Sequence, residues 1–148
     1  MIRSHAKQIA ELINARNALT KLYTADGVLK NAANFIFRLK KDAVVACIEV
    51  KHVQWYQAEI LHLSVSEDLP QRQGYGRGLV KDALTKAKEM NCRIAQCSIR
   101  VGNEPSEGLF LSEGFMRTVS FRNARSGNDV TVYQYAIVPP GEVAEASA

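Results

Sequence analysis

Three alternating glycines, Gly74, Gly76 and Gly78, stand at the head of a helical stretch and constrain this chain more than any other feature. The segment Gln73-Gly74-Tyr75-Gly76-Arg77-Gly78-Leu79-Val80 leads into a helix that runs to about Glu89. Upstream, the apolar run Ile60-Leu61-His62-Leu63-Ser64-Val65 reads as a strand. Strand, glycine turn and helix together make a cradle for an anion. Glycine lets backbone approach a ligand closely and adopt φ > 0. The first amides of a helix lack internal partners, and the helix dipole adds positive potential there. A pyrophosphate fits such a cradle.

The rest of the chain bounds the setting. With 148 residues, the sequence predicts one domain over 1–138, followed by a small, polar tail, Pro139 to Ala148, expected to be disordered. Hydrophobic residues make up 47%, enough for a core, and no apolar run approaches the ~20 residues of a membrane span. The N-terminus leads into an amphipathic stretch without the apolar core of a signal peptide. A cytoplasmic protein with no membrane partner is expected. Cys47, Cys92 and Cys97 are odd in number and form no Cys-x-x-Cys pair, which argues against disulfides and zinc, so no metal is expected. The net charge of +4 suits an anionic cofactor, an acidic substrate or nucleic acid, and does not choose among them.

Periodicity orders the elements. Ala6, Ile9, Ala10, Leu12, Ile13 and Leu19 predict a helix from Ser4, as N-cap, to about Leu19. Asp26-Gly27 reads as a turn and Val28 to Ala33 as a short helical turn. Phe35 to Leu39, Ala43 to Val53 and Trp55 to Val65 read as three antiparallel strands, the first two joined at Lys40-Lys41-Asp42. A polar loop from Ser66 precedes the glycine turn. After the helix come a strand over Ile94 to Val101 and a helix opened by Asn103-Glu104-Pro105-Ser106 and stopped by Gly114. Phe115 to Ala124 and Val130 to Val138 read as a hairpin. The fold class is α+β, or mixed α/β, with a helix-crossed parallel pair inside a mostly antiparallel sheet.

This order and these motifs resemble the GNAT superfamily of acyl-CoA-dependent N-acyltransferases. Gln73-Gly74-Tyr75-Gly76-Arg77-Gly78 is similar to that family's Gln/Arg-x-x-Gly-x-Gly/Ala pyrophosphate loop. Asn103-x-x-Ser106-x-x-Leu109-Phe110-x-x-x-Gly114-Phe115 is similar to its Asn-x-x-Ala-x-x-Leu-Tyr-x-x-x-Gly-Phe segment. Ala58-Glu59-Ile60 is similar to a strand opening in the histone-acetyltransferase branch. The resemblance spans roughly residues 34 to 138. The family's usual first strand has no counterpart before Ser4.

The resemblance implies a GNAT-like fold, with a central mixed sheet whose parallel strand pair splays, flanked by helices. It implies acetyl-CoA as acyl donor and a primary amine, of a small molecule or peptide, as acceptor. Pantetheine would pair with backbone at Leu63, Ser64 and Val65, and an amide near Val65 would polarise the thioester carbonyl. Arg72, Gln73, Gly74, Tyr75, Gly76, Arg77 and Gly78 would hold the pyrophosphate, and Asn103 and Phe110 would complete the cofactor site. The attacking amine must be neutral, so a base is needed. Glu59 matches the catalytic glutamate; the alternative is a structural strand carboxylate. Strand alternation groups it with Leu61, Leu63 and Val65, which would bury it unless a bulge intervenes. His62 is the second candidate base, against a plain core or surface histidine. The family's tyrosine proton donor is replaced by Phe110, so Ser106, Tyr75, Tyr133 or water would have to serve.

Other residues admit two readings. Trp55-Tyr56 either rims the core or faces the acceptor. Arg117, Arg122 and Arg125 either form a solvated hairpin face or draw an acidic peptide, a carboxylated metabolite or nucleic acid. The alternatives to an acetyltransferase are an acyl-CoA-binding regulatory module, favoured by Phe110, and a nucleic-acid-modifying acyltransferase, suggested only by the charge. A homodimer is compatible with the sequence. A P-loop protein is disfavoured because no Gly-Lys-Ser/Thr follows the glycines. A dinucleotide fold is disfavoured by glycine spacing and by three antiparallel strands before the turn.

Overall fold

The computed structural model describes residues 1–69 and 74–138. Six strands form one sheet in the order β1-β2-β3-β4-β6-β5, with β3 and β4 parallel. Contacts divide the chain into two compact units. One combines Met1–Val50 with His62–Ala83; the other combines Lys51–Leu61 with the chain from Leu84 on.

In the first unit, helix α1 (Arg3–Arg16) buries Ala6, Ile9, Ala10 and Ile13, the i, i+3, i+4, i+7 stripe expected of a helix on a core. These residues form one cluster with Val28, Phe35, Val44 and Cys47. The helix stops three residues before the predicted Leu19. Both the backbone N–H and the side-chain Nδ2 of Asn17 turn back onto the Ile13 carbonyl, at 3.1 and 2.8 Å, and Asn17 itself is extended. Ser4 is not the cap. It lies within the first turn, and its hydroxyl accepts from Gln8.

Helix α2 (Ala25–Lys30) overrides the turn predicted at Asp26-Gly27. Thr24 caps it by accepting from the Gly27 N–H at 3.0 Å, and Asp26 then falls in the first turn, where a negative charge is favourable. A 3-10 turn, Ala32–Asn34, leads into β1 (Phe35–Lys40). Strand β2 (Ala43–Gln54) follows through Lys41 and Asp42, whose φ of 49° and 65° suit a two-residue hairpin. Val44 through Val50 are buried without a break, so both faces of this strand are covered.

The second unit begins at the far end of that strand. Trp55 and Tyr56 form the turn into β3 (Gln57–Val65), two residues later than the sequence reading placed the strand. Trp55 is 86% exposed, so it does not rim the core. The first half of β3 pairs in parallel with β4 (Ile94–Arg100): Gln57 with Ile94, Ala58 with Ala95, Glu59 with Gln96. The ladder ends at that third pair. Strand β4 pairs antiparallel with β6 (Asp129–Ala136) from Ile94↔Ala136 to Arg100↔Val130. Strand β5 (Met116–Arg122) closes the sheet at the edge beside β6.

Helix α3 (Tyr75–Glu89) buries Leu79, Val80, Ala83 and Ala87. Helix α4 (Glu104–Ser112) is capped by Asn103, whose side chain accepts from the Ser106 N–H, with Pro105 in its first turn. Gly114, at φ +94°, ends it.

Candidate functional site

Strand alternation and burial decide where Glu59 points. Ala58, Ile60 and Ser64 are buried, whereas Glu59, Leu61, Leu63 and Val65 are only half covered. The face grouping is as predicted, but the more buried face is the opposite one. Glu59 therefore keeps partial access to solvent. Burial still raises its carboxyl above the usual carboxylate value, and hydrogen bonds from Gln96 and Gln57 pull it part of the way back.

Those two amides do not act alone. Gln96 stands opposite Glu59 in the parallel ladder, and Gln134 stands opposite Gln96 in the next one. Gln134 Nε2 donates to Gln96 Oε1 at 2.8 Å, and Gln96 Nε2 donates to Glu59 Oε2 at 3.4 Å. On the other side, Gln54 Nε2 donates to Gln57 Oε1 at 3.2 Å, which leaves the Gln57 amide to donate to Glu59. Two amide relays converge on one carboxylate. Below it, burial first and the Glu59 charge second push the Cys97 thiol up, so this sulfur stays protonated at neutral pH.

The second half of β3 is kinked. His62 has φ +51°, a left-handed conformation uncommon for a side chain in a strand. This single left-handed residue is where the regular strand conformation breaks. The kink is braced from α1. Asn17 Nδ2 donates to Ser64 Oγ at 2.9 Å, and Ser64 Oγ donates to the His62 carbonyl at 2.8 Å. The His62 ring meets Tyr23 edge-on, with centroids 5.4 Å apart. The Tyr23 hydroxyl donates to the buried Glu49 carboxylate at 2.5 Å. Burial, reinforced by that bond, raises the tyrosine above its ordinary value. Leu63 and Val65 flank the braced serine, and the Ser66 N–H returns to β2 through the Val45 carbonyl at 2.8 Å.

Gly74 precedes α3 with φ +77°, and a Cβ there would meet nothing within 4 Å. Tyr75, Gly76, Arg77 and Gly78 occupy the first turn of this 15-residue helix, which carries no acidic side chain there. Open space at Gly74 and a first helical turn without an acidic side chain fit a phosphate group. Arg72 and Gln73 lie outside the described residues.

On α4, Asn103 is exposed and serves as the cap, and Ser106 is half-buried with its N–H on that cap. Phe110 is 4% exposed and meets Phe115 edge-on at 5.0 Å. It is a core residue of that unit. Tyr133, named as a substitute proton donor, is likewise buried, at 2% exposed. Among the described residues, no group of three or more His, Cys, Asp or Glu is placed to hold a metal ion. The sequence reading overlooked the four glutamines, Asn17 and the Tyr23–Glu49 pair. Amides at Gln96 and Gln134, each flanked by apolar or aromatic neighbours in its strand, were the available signal; their cross-strand partners were not.

The sequence matches the model of the acetyltransferase (GNAT) family over residues 6–115. None of the curated proteins compared with the sequence matches it. Among solved structures, the fold is similar to Ard1 from Thermoplasma volcanium, with a TM-score of 0.78, 19% identity, and coverage of 94% of this chain and 95% of that one. It is similar to yncA from Salmonella typhimurium, whose structure carries its cofactor acetyl-CoA, at 0.80, 15% identity, and coverage of 99% and 96%. It is also similar to the ribosomal-protein-S18-alanine N-acetyltransferase from Escherichia coli, at 0.74, 17% identity, and coverage of 96% and 94%.

Proposed function

The chain belongs to the acetyltransferase (GNAT) family, whose acyl donor is acetyl-CoA, and we propose that it transfers the acetyl group to a primary amine of a small molecule or peptide by direct attack. The observation that carries this reading is Glu59: a half-buried carboxylate on β3, fed by two amide relays, on the same strand as the kink at His62.

Acetyl-CoA supplies the acyl group as an activated thioester. The Gly74–Gly78 turn and the first amides of α3 would hold its pyrophosphate, with Arg72 and Gln73 adjoining. Backbone of Leu63, Ser64 and Val65 would pair with the pantetheine arm, and an N–H near Val65 would sit at the thioester carbonyl. Asn103 and Phe110 enter this reading through α4: Asn103 shapes its start and Phe110 fills the core beneath it. Glu59 takes the proton that the amine must lose, directly or through one water. A carboxylate raised by burial is a better base than an exposed one, and the donors from Gln96 and Gln57 favour its ionised form. His62 then acts through its backbone, by kinking the strand, in place of the base role. Ser106 would be the family-motif hydroxyl that returns a proton to the leaving sulfur, with water as the other source. Three free, buried cysteines suit a reducing cytoplasm.

Phe110 favours a second reading, a module that binds acyl-CoA with little turnover, because the position that carries the family's proton donor holds a buried phenyl ring. One pair of measurements separates the two. Millimolar acetyl-CoA should raise the melting temperature under either reading, and no shift rejects both. Release of free CoA across a panel of primary amines marks the enzyme; stabilisation without release marks the module.

A further inference from the structure

We propose that Gln134, Gln96, Gln54 and Gln57 are positioning residues, the outer two fixing the direction in which the Gln96 and Gln57 amides face Glu59, so that this carboxylate is aimed and held ready to accept a proton. The inference rests on the reading of Glu59 as the base, and deepens it.

The geometry allows one polarity. An amide carries a carbonyl and an NH₂ at its tip, and an isolated glutamine can turn either toward a neighbour. Gln96 has no such freedom. Gln134 presents an N–H to its oxygen at 2.8 Å, so the Gln96 NH₂ is the end left for Glu59. Gln57 is fixed in the same sense by the N–H of Gln54 at 3.2 Å. Each outer glutamine thus decides what the inner one offers. Both inner ones offer donors, and donors favour the ionised carboxylate. The row Glu59–Gln96–Gln134 follows directly from sheet register, since each residue is the ladder partner of the next. Strands hold such a row more rigidly than loops would.

The donors oppose a real cost. Burial disfavours the charge on Glu59, and the nearby Cys97 thiol, itself kept protonated, does not offset it. Gln96, Gln57 and Cys97 are the groups coupled to Glu59 among the described residues. Without the relays, the inner amides could turn their carbonyls to the carboxyl, which only a protonated Glu59 could satisfy. The base would then be occupied before the amine arrived.

The test reverses one relay. Gln134→Glu replaces the outer donor with an acceptor, which turns the Gln96 NH₂ away from Glu59 and its oxygen toward it. Gln134→Met keeps the shape and leaves Gln96 free to rotate. The Glu59 carboxyl is titrated by carbon-13 NMR in each protein, with Glu59→Gln identifying the signal. The midpoint should move to higher pH in the order wild type, Gln134→Met, Gln134→Glu. In parallel, kcat/KM for acetyl-CoA with the amine panel should fall roughly tenfold in Gln134→Glu at the acid end and converge with wild type at high pH. An unmoved midpoint in Gln134→Met overturns the relay, even if Gln134→Glu shifts, because added charge alone would explain the latter. A moved midpoint with an unchanged pH–rate profile supports the relay and removes Glu59 from the base role.

Discussion

Asn17 and Ser64, 47 positions apart in sequence, share a 2.9 Å hydrogen bond that ties the end of α1 to the one left-handed residue of β3. Ser64 passes the constraint to the His62 carbonyl at 2.8 Å. The strained backbone at His62 is therefore held by a side chain from another element, not by local preference. Left-handed conformations cost an L-residue roughly 1–2 kcal/mol, which glycine avoids. In an ordinary strand, glycine is instead less stable than alanine by about 0.5–1 kcal/mol. Comparing His62→Gly with His62→Ala should invert that order, with the glycine variant more stable by about 1 kcal/mol in urea denaturation. Both lose the same ring contact with Tyr23, so the comparison isolates the backbone. Alanine more stable than glycine would mean that residue 62 is extended.

Gly114 makes a similar demand with a steric term added. Its φ is +94°, and a Cβ would come within 3.1 Å of the Tyr135 ring. Gly74 has a comparable φ of +77° and open space around it. Gly114→Ala should thus destabilise more than Gly74→Ala, with about 1–2 kcal/mol expected from backbone strain in each and the ring clash on top at Gly114. Thermal unfolding of the two variants reads the difference. Gly74→Ala should be the milder change for stability and the more damaging one for acetyl-CoA affinity, since its turn is the proposed phosphate cradle.

The extent to which this was legible follows from the range of each interaction. The α1 stripe, the β1–β2 hairpin and the α3 core face are local patterns, and their periodicity places them within a few residues. Helix ends were less legible. Ser4 looked like a cap because nothing in the sequence shows that Ile2 occupies that place, and Asp26-Gly27 looked like a turn although Thr24 supplied the cap. Glu59 was identified by its setting on β3, and Gln57 lies two residues from it, but the other relay comes from β4 and β6, 37 and 38 positions away along successive links. Period-2 alternation says which residues share a face and not which face is covered. Covering depends on packing that no single strand encodes.

The cysteines should behave as core residues. Cys47, Cys92 and Cys97 are all buried, and burial together with the Glu49 charge pushes the Cys47 thiol up to about 12. Thiolate is the reactive form, so the folded protein should react with a thiol reagent at pH 8 far more slowly than the unfolded chain. Three equivalents should react at once in guanidinium. Rapid labelling of the native protein would show that one of these sites opens locally.

Glu59→Gln should separate activity from stability. If Glu59 is the base, the substitution removes it and should lower kcat/KM by about 10²–10⁴-fold, with the wild-type dependence on carboxylate ionisation lost from the pH profile. Stability should move the other way. Burial places the folded-state pKa of Glu59 above its unfolded value, so over the interval between the two the folded protein holds more protons. Stability then falls as pH rises through that interval, and the penalty is complete above it. A neutral amide of the same shape escapes it, so Glu59→Gln should melt at higher temperature than wild type at pH 7 and lose that advantage as pH drops below the unfolded value. Such an exchange is expected where a charge is held in place for chemistry at the expense of folding. Equal melting temperatures at pH 7 and at pH 4 would show that the carboxylate carries no net burial penalty.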